Sequence, residues 1–287
     1  MTHQTLVSTQ DLAEHLNEAN WLIADCRFLL SNPDERENDY LQAHIPGAIY
    51  IHLDRDLSGP VIPGVTGRHP LPSPNEAAIR LGSLGIGPGI QVVAYDDQGG
   101  SLAAARLWFM LRWLGHKDVA VLDGGWQKWL DEDQPLHRGR EIRLPRDFAP
   151  QVQEGLIVDL QEVERIRLDP SYALLDVRAP ERFRGESEPI DPIAGHIPGA
   201  RNLPYAENLA DDGSFRTQSE LQDHFGHYLK GIPPEKVVFY CGSGVTAIHS
   251  VLAMLHAGMG NARLYPGSWS EWIADRKRPV ASGPSPF

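Results

Sequence analysis

The residues best placed to do chemistry lie in one stretch, Val237-Val238-Phe239-Tyr240-Cys241-Gly242-Ser243-Gly244-Val245-Thr246-Ala247. Its first four residues form an apolar, β-prone run, the pattern of a buried strand. From Thr246 to Ala257 the apolar positions Ile248, Val251, Leu252 and Leu255 recur at helical spacing. The spacing predicts that Cys241 closes a strand and sits in a tight loop that opens a helix. Gly242 and Gly244 admit backbone angles closed to other residues. A loop curled in this way turns its N–H groups toward the sulfur, and the helix N-terminus adds positive potential. Such a setting favours the thiolate, the nucleophilic form of cysteine. The plainer alternative is a buried structural cysteine after a strand. The two glycines and the helix start favour the nucleophile.

The elements that must hold this loop come from a chain that repeats itself. Leu22-Ile23-Ala24-Asp25-Cys26-Arg27 matches Leu174-Leu175-Asp176-Val177-Arg178, each a strand ending in Asp-x-Arg. Ala43-His44-Ile45-Pro46-Gly47-Ala48 matches Gly195-His196-Ile197-Pro198-Gly199-Ala200. Val92 to Asp96 matches Val237 to Cys241, and Leu122-Asp123-Gly124-Gly125-Trp126 matches Tyr265-Pro266-Gly267-Ser268-Trp269. The blocks keep their order, so each half is expected to be one domain of the same fold. In the first half, helical patterns over 9–18, 75–84 and 102–114 alternate with strand patterns over 22–24, 48–51, 91–95 and 119–122, and a short helix follows near Trp126 and Trp129. This alternation predicts an α/β fold, a parallel sheet with helices on both faces in each domain. Ligands of such sheets sit at the carboxyl ends of strands, where Cys241 falls. We place a non-catalytic domain at 1–140, a charged, proline-bearing linker at 141–156 and the catalytic domain at 157–287. The first domain carries Asp96 where the second carries Cys241. A carboxylate is not the nucleophile that a thiolate is, and Asp97 beside it repels anions. The tail from Arg276 to Phe287 is expected to be a surface strap.

Composition narrows the choice. The 287 residues suffice for two domains, and 41% hydrophobic content supports real cores. A formal net charge of -12 with no basic block disfavours a nucleic-acid partner. An anionic substrate would therefore need positive charge gathered locally. Two cysteines, Cys26 and Cys241, give no disulfide framework and fit a reducing compartment. No signal-peptide pattern opens the sequence at Met1, and no apolar run approaches the roughly 18 residues of a membrane span. The expectation is a cytoplasmic protein with no membrane partner. Cys26 reads as a core residue. His44 and His196, at the turn before Ile-Pro-Gly, read as satisfied by backbone groups. His249 and His256 lack metal-ligand partners at usable spacing.

The paired His-Ile-Pro-Gly-Ala blocks, the glycine-rich Trp blocks and the single cysteine loop resemble the rhodanese superfamily, specifically its tandem-domain sulfurtransferases. The resemblance spans nearly the whole chain and implies two tandem rhodanese-like domains. The loop Cys241-Gly242-Ser243-Gly244-Val245-Thr246 is similar to that of 3-mercaptopyruvate sulfurtransferases. Thiosulfate sulfurtransferases of this architecture more often carry basic residues at the places of Gly242 and Ser243. The resemblance implies that Cys241 takes a sulfur atom from a small anionic donor as a persulfide. It then passes that sulfur to cyanide or a thiol acceptor, a thioredoxin-like protein among the candidates, with no metal or organic cofactor. Gly242, Gly244, Val245 and Thr246 would bind the donor with the loop amides, and Ser243 would hydrogen-bond it. His69, in Arg68-His69-Pro70-Leu71-Pro72, and Asp54, in His52-Leu53-Asp54-Arg55-Asp56, fall where the family places a His and an Asp that reach this serine from the first domain. The longer, glycine-bearing stretch from Pro60 to Gly67 departs from the family's spacing. Arg182, in Glu181-Arg182-Phe183-Arg184-Gly185, matches the arginine that binds the donor anion, a role its planar fork suits. A second arginine expected near position 190 is missing, and Glu188-Pro189-Ile190-Asp191-Pro192 stands there. Arg178 and Arg27 are expected to pair structurally with Asp176 and Asp25.

Two other functions compete. A cysteine phosphatase also uses a cysteine loop, but its loop ends in an arginine six residues on, where this chain has Ala247. A relay that loads persulfide sulfur for a protein partner would show loading on Cys241 without turnover of small acceptors.

Overall fold

The computed structural model describes residues 2–284. Met1, where the expected absence of a signal pattern begins, and residues 285–287, the end of the expected strap, lie outside the described residues. The chain forms two compact units. The first comprises residues up to Gly59, Leu71–Gln153 and Leu209–Phe215; the second comprises Pro60–Pro70, Glu154–Asn208 and the chain from Arg216 onward.

The first unit contains β1 (Leu6–Val7), α1 (Thr9–Glu14), β2 (Trp21–Asp25), α2 (Glu35–Gln42), β3 (Ala48–Tyr50), α3 (Leu53–Asp56), α4 (Pro74–Ser83), β4 (Gln91–Tyr95), α5 (Ala103–Trp113), β5 (Val119–Leu122) and α6 (Gly125–Asp131). Its sheet has the order β1-β5-β4-β2-β3, and every pair is parallel. β2 and β4 are buried at every residue, as central strands covered on both faces must be. α5 is buried nearly all round, which fits its largely apolar sequence; of its two arginines, Arg106 is buried as well. Ser73 and Glu76 close a capping box on α4, a cap whose serine alone contributes about 1 kcal/mol. The strand patterns at 91–95 and 119–122 match β4 and β5 residue for residue. β1, α2 and α3 carried no usable pattern: α2 buries only Tyr40, and β1 and α3 are too short for a period to show.

The second unit contains α7 (Leu160–Ile166), β6 (Ala173–Asp176), α8 (Pro180–Phe183), β7 (Arg201–Asn202), α9 (Gln218–Leu229), β8 (Val237–Tyr240), α10 (Ala247–His256), β9 (Arg263–Leu264) and α11 (Ser268–Trp272). Its parallel sheet runs β7-β6-β8-β9. Trp269, Trp272, Tyr240 and Phe183 anchor its core. The tail contributes a bridge from Ala281 to His196.

The repeated sequence blocks build the same polar network twice. The Arg27 guanidinium donates to Asp25 and to the Ala43 carbonyl, and Arg178 donates to Asp176 and the Gly195 carbonyl. The Ile45 N–H donates to the Tyr95 hydroxyl, and the Ile197 N–H to that of Tyr240. Each arginine lies over the tryptophan of its block, Trp126 or Trp269. Both Asp–Arg pairs are buried and hydrogen-bonded on several sides, the condition under which a buried charge is tolerated.

Candidate functional site

Cys241 follows β8 directly, and α10 begins six residues later. The first turn of α11 pins the intervening loop. The Cys241 N–H donates to Ser268 Oγ at 3.1 Å, while Trp269 and Ser270 donate to the carbonyls of Cys241 and Gly242 at 3.0 and 2.9 Å. The Gly244 N–H donates to Cys241 Sγ at 3.2 Å, so at least this amide points at the sulfur as the loop sequence predicts. Gly244 has φ +75°, and a Cβ there would meet the Pro266 carbonyl oxygen at 2.0 Å. No other residue fits without rebuilding the loop. The N-terminus of α10 adds its partial positive charge. Cys241 is 3% exposed, which limits the water that could hydrolyse a sulfur adduct. Val245 is buried and Thr246 half-buried where the loop enters α10.

His69 arrives on the segment Pro60–Pro70, which packs into the second unit although it lies far from it in sequence. Gly67 makes this possible: a Cβ there would lie 2.6 Å from the Gly267 carbonyl oxygen. The Arg68 N–H donates to Ser270 Oγ at 3.1 Å. His69 Nδ1 then lies 2.8 Å from Ser243 Oγ, both side chains buried. The structure thus brings together His69 and Ser243, the pair that the family resemblance implied. Asp54 sits on the exposed first turn of α3 in the first unit, its N–H donating to His52 Nδ1.

Two arginines border the loop, each paired with a carboxylate. Arg182 donates to Glu188 through Nη2 at 2.7 Å and Nε at 3.2 Å, and to Asp191 at 3.3 Å. Arg68 pairs with the other oxygen of Asp191. A Cβ on Gly242 would lie 2.8 Å from Arg68 Nη2 and 3.6 Å from Arg182 Nη2, so both guanidinium groups border the cysteine loop. Burial works against the Glu188 carboxylate, but hydrogen bonds from Arg182 and the Asp191 and Ile190 amides hold it below the usual range. Burial pushes the Asp191 carboxyl up, with Arg68 and Arg182 opposing only in part. Sequence reasoning missed Arg68. Ile190, near the place of the absent second arginine, is exposed, and Arg68 reaches the neighbouring Asp191 from 123 positions earlier in the chain. The only signal in the sequence was its position next to His69.

The loop after β4 is the first unit's counterpart and is filled by its own side chain. Asp96 Oδ1 accepts the N–H groups of Gln98 and Gly100 at 2.9 and 2.8 Å. Its Oδ2 accepts those of Leu102 and Ala104 at 3.0 and 3.3 Å. This carboxylate caps α5 and occupies the anion position, so the loop offers no nucleophile. Cys26 is wholly buried, and burial pushes its thiol well up, which leaves it unreactive. A cavity of about 470 Å³ in the second unit, lined in part by Arg201, His227 and Tyr228, is touched by neither Cys241 nor Ser243. Among the described residues, no helix is long and apolar enough to cross a membrane.

Residues 8–132 and 159–275 each match the rhodanese-like domain. The chain belongs to the rhodanese-like family. It is 47% identical over 284 residues to a probable 3-mercaptopyruvate sulfurtransferase of Pseudomonas aeruginosa, covering 99% of this chain and 100% of that one. It is 38% identical over 297 residues to a putative thiosulfate sulfurtransferase of Mycobacterium tuberculosis, covering 98% of each. Among solved structures it superposes on 3-mercaptopyruvate sulfurtransferase from Leishmania major with a TM-score of 0.84 at 31% identity, covering 96% of this chain and 76% of that one. These rhodanese-like relatives are sulfurtransferases, and both rhodanese-like domains of the chain carry the parallel sheet expected from its sequence.

Proposed function

We propose that the chain transfers a sulfane sulfur from 3-mercaptopyruvate, through a persulfide on Cys241, to a thiol or cyanide. The observation that carries this reading is the 2.8 Å approach of His69 Nδ1 to Ser243 Oγ, two residues beyond the nucleophile. The Cys241 thiolate attacks the donor sulfur. The donor's C–S bond breaks, and its electron pair leaves on carbon as the enolate of pyruvate. The S–H proton of the donor, relayed through Ser243 and His69, ends on that carbon, so the products are pyruvate and the persulfide. A thiol or cyanide then attacks the outer sulfur, and the Cys241 thiolate departs. The loop amides and the start of α10 serve thiolate and persulfide alike. Gly242, Gly244, Val245 and Thr246 form the donor's floor. Arg182 and Arg68 receive the donor carboxylate, their forks pre-oriented by Glu188 and Asp191. A thioredoxin-like protein is an acceptor of suitable chemistry, and the cytoplasm a suitable compartment.

Thiosulfate needs no proton, because sulfite leaves with the electron pair of its S–S bond. The two donors therefore separate the roles of these residues. Steady-state kinetics with both donors should show mercaptopyruvate preferred. Ser243→Ala should lower kcat with mercaptopyruvate by roughly 10²-fold or more, the usual size of a lost proton-transfer group, and change kcat with thiosulfate far less. Equal losses with both donors would remove the proton relay from the mechanism.

The arginines act on binding. Arg182→Ala and Arg68→Ala should each raise KM for mercaptopyruvate by roughly 10-fold, the loss of a charge-assisted hydrogen bond, with kcat little changed. If Arg68→Ala left KM unaltered, Arg68 would be a structural partner of Asp191 alone.

A further inference from the structure

The two His-Ile-Pro-Gly blocks are equivalent in sequence but not in surroundings. In the second unit, His196 bridges antiparallel to Ala281. In the first unit, His44 bridges antiparallel to His137, each N–H donating to the other's carbonyl at 2.9–3.0 Å. The chain then continues to Glu141, whose N–H donates to the Tyr40 hydroxyl at 2.8 Å. The Gly139 N–H donates to the Leu41 carbonyl, and Arg140 pairs with Glu37. This stretch is thus fastened to α2 at several points. His137 Nδ1 lies 2.7 Å from Glu141 Oε1. One ligand atom from each of His44, His137 and Glu141 falls within 4.8 Å of the others.

His44 is the informative member. Its ring is wholly buried and stacked on Tyr40. Its Nδ1 lies 2.7 Å from the Tyr40 carbonyl oxygen. A carbonyl only accepts, so Nδ1 carries the proton and Nε2 presents a lone pair. That Nε2 is buried and has no hydrogen-bond partner among the described residues. The expectation that backbone groups satisfy His44 therefore holds for one nitrogen and fails for the other. Leaving such an atom unpaired is unfavourable, and native structures rarely do so without a reason. A ring whose far nitrogen donates to a carbonyl while the near one offers a lone pair is also the usual state of a metal-bound histidine.

We propose that His44 Nε2, His137 Nδ1 and a Glu141 carboxylate oxygen bind one divalent zinc ion in the first rhodanese-like unit. Two imidazoles and one carboxylate suit zinc in number and softness, with water as a fourth ligand. Closing the ligands from their present spacing requires small side-chain movements of His137 and Glu141, which are exposed and half-buried and so free to make them. The ion displaces the proton held between His137 and Glu141, which passes to the other nitrogen of the ring or to solvent. It clips residues 137–141 onto the turn after α2. It stands apart from the cysteine chemistry, which needs no metal.

The test uses the full chain without an affinity tag, stripped of metal and titrated with zinc against a chromophoric chelator. Uptake of one zinc per chain is expected, with an upward shift in Tm that a chelator reverses. His137→Ala and Glu141→Gln, both away from the core, should each weaken binding by about 100-fold or more, beyond the 10–100-fold cost of losing an outer-shell partner. Both should abolish the zinc-dependent Tm shift and leave sulfur transfer unchanged. Cobalt in place of zinc should give tetrahedral visible bands without a thiolate charge-transfer band. Substoichiometric uptake, equal affinity in His137→Ala, or a thiolate band that disappears in Cys241→Ser would overturn the proposal. The first two results identify an adventitious surface ion and the third a metal on Cys241.

Discussion

Cys241→Ser is expected to lower kcat/KM for sulfur transfer by at least about 10⁴-fold, the scale on which removal of a covalent nucleophile acts. The substitution is nearly isosteric, and the loop's ties to Ser268, Trp269 and Ser270 run through backbone atoms that serine retains. The fold should therefore persist, and the loss should be chemical. A serine hydroxyl stays protonated near neutral pH and cannot store the donor sulfur. No second thiol can substitute, because Cys26 lies wholly buried in the other unit. Two measurements check this: pyruvate release from mercaptopyruvate, and the intact mass after donor treatment, which should gain one sulfur atom in the native chain alone. Turnover within about tenfold of native would take the covalent step away from Cys241.

The second large effect concerns stability and falls on the first unit. Asp96 satisfies four backbone N–H groups with one buried carboxylate. Asp96→Ala leaves these donors stranded in the interior. At roughly 1–3 kcal/mol for each buried donor left unpaired, with partial relief from entering water, a loss of about 3 kcal/mol or more is expected. Urea unfolding followed by intrinsic fluorescence reports on this unit, since Trp21, Trp108, Trp113, Trp126 and Trp129 all belong to it.

The same carboxylate gives a pH signature. Burial pushes it up to about 6 from an ordinary 3.8, although the Gln98, Gly100 and Leu102 amides pull the other way. Its folded value thus lies above its unfolded one, and the folded state binds the proton more tightly. The contribution is fully present below pH 3.8 and is lost as pH rises through about 6. The expected loss across that window is on the order of 3 kcal/mol. In Asp96→Asn this decline should be absent, whatever the cost of the substitution itself. Parallel pH profiles for native chain and variant would show that the group does not titrate in this range.

Much of this protein is legible in its sequence alone. β4 and β5 announced themselves because central parallel strands must be apolar throughout. The cysteine loop announced itself because a strand, two glycines and an amphipathic helix are contiguous in the chain. The duplication was visible because four blocks recur in order, and the Asp-x-Arg pairs followed because their partners are two residues apart. Tertiary structure decided what lies around these features. It brought His69 to Ser243 across 174 positions and Arg68 to Asp191 across 123. It also put His137 opposite His44 where the other half has Ala281. No periodicity encodes such meetings, because they depend on where a loop without regular structure returns. Which amides a carboxylate such as Asp96 captures is likewise set by the closed loop, and the sequence shows only that a nucleophile is missing there. Local pattern fixes elements through backbone sterics and burial, whereas the chemistry of a site depends on contacts that exist only once distant segments have packed.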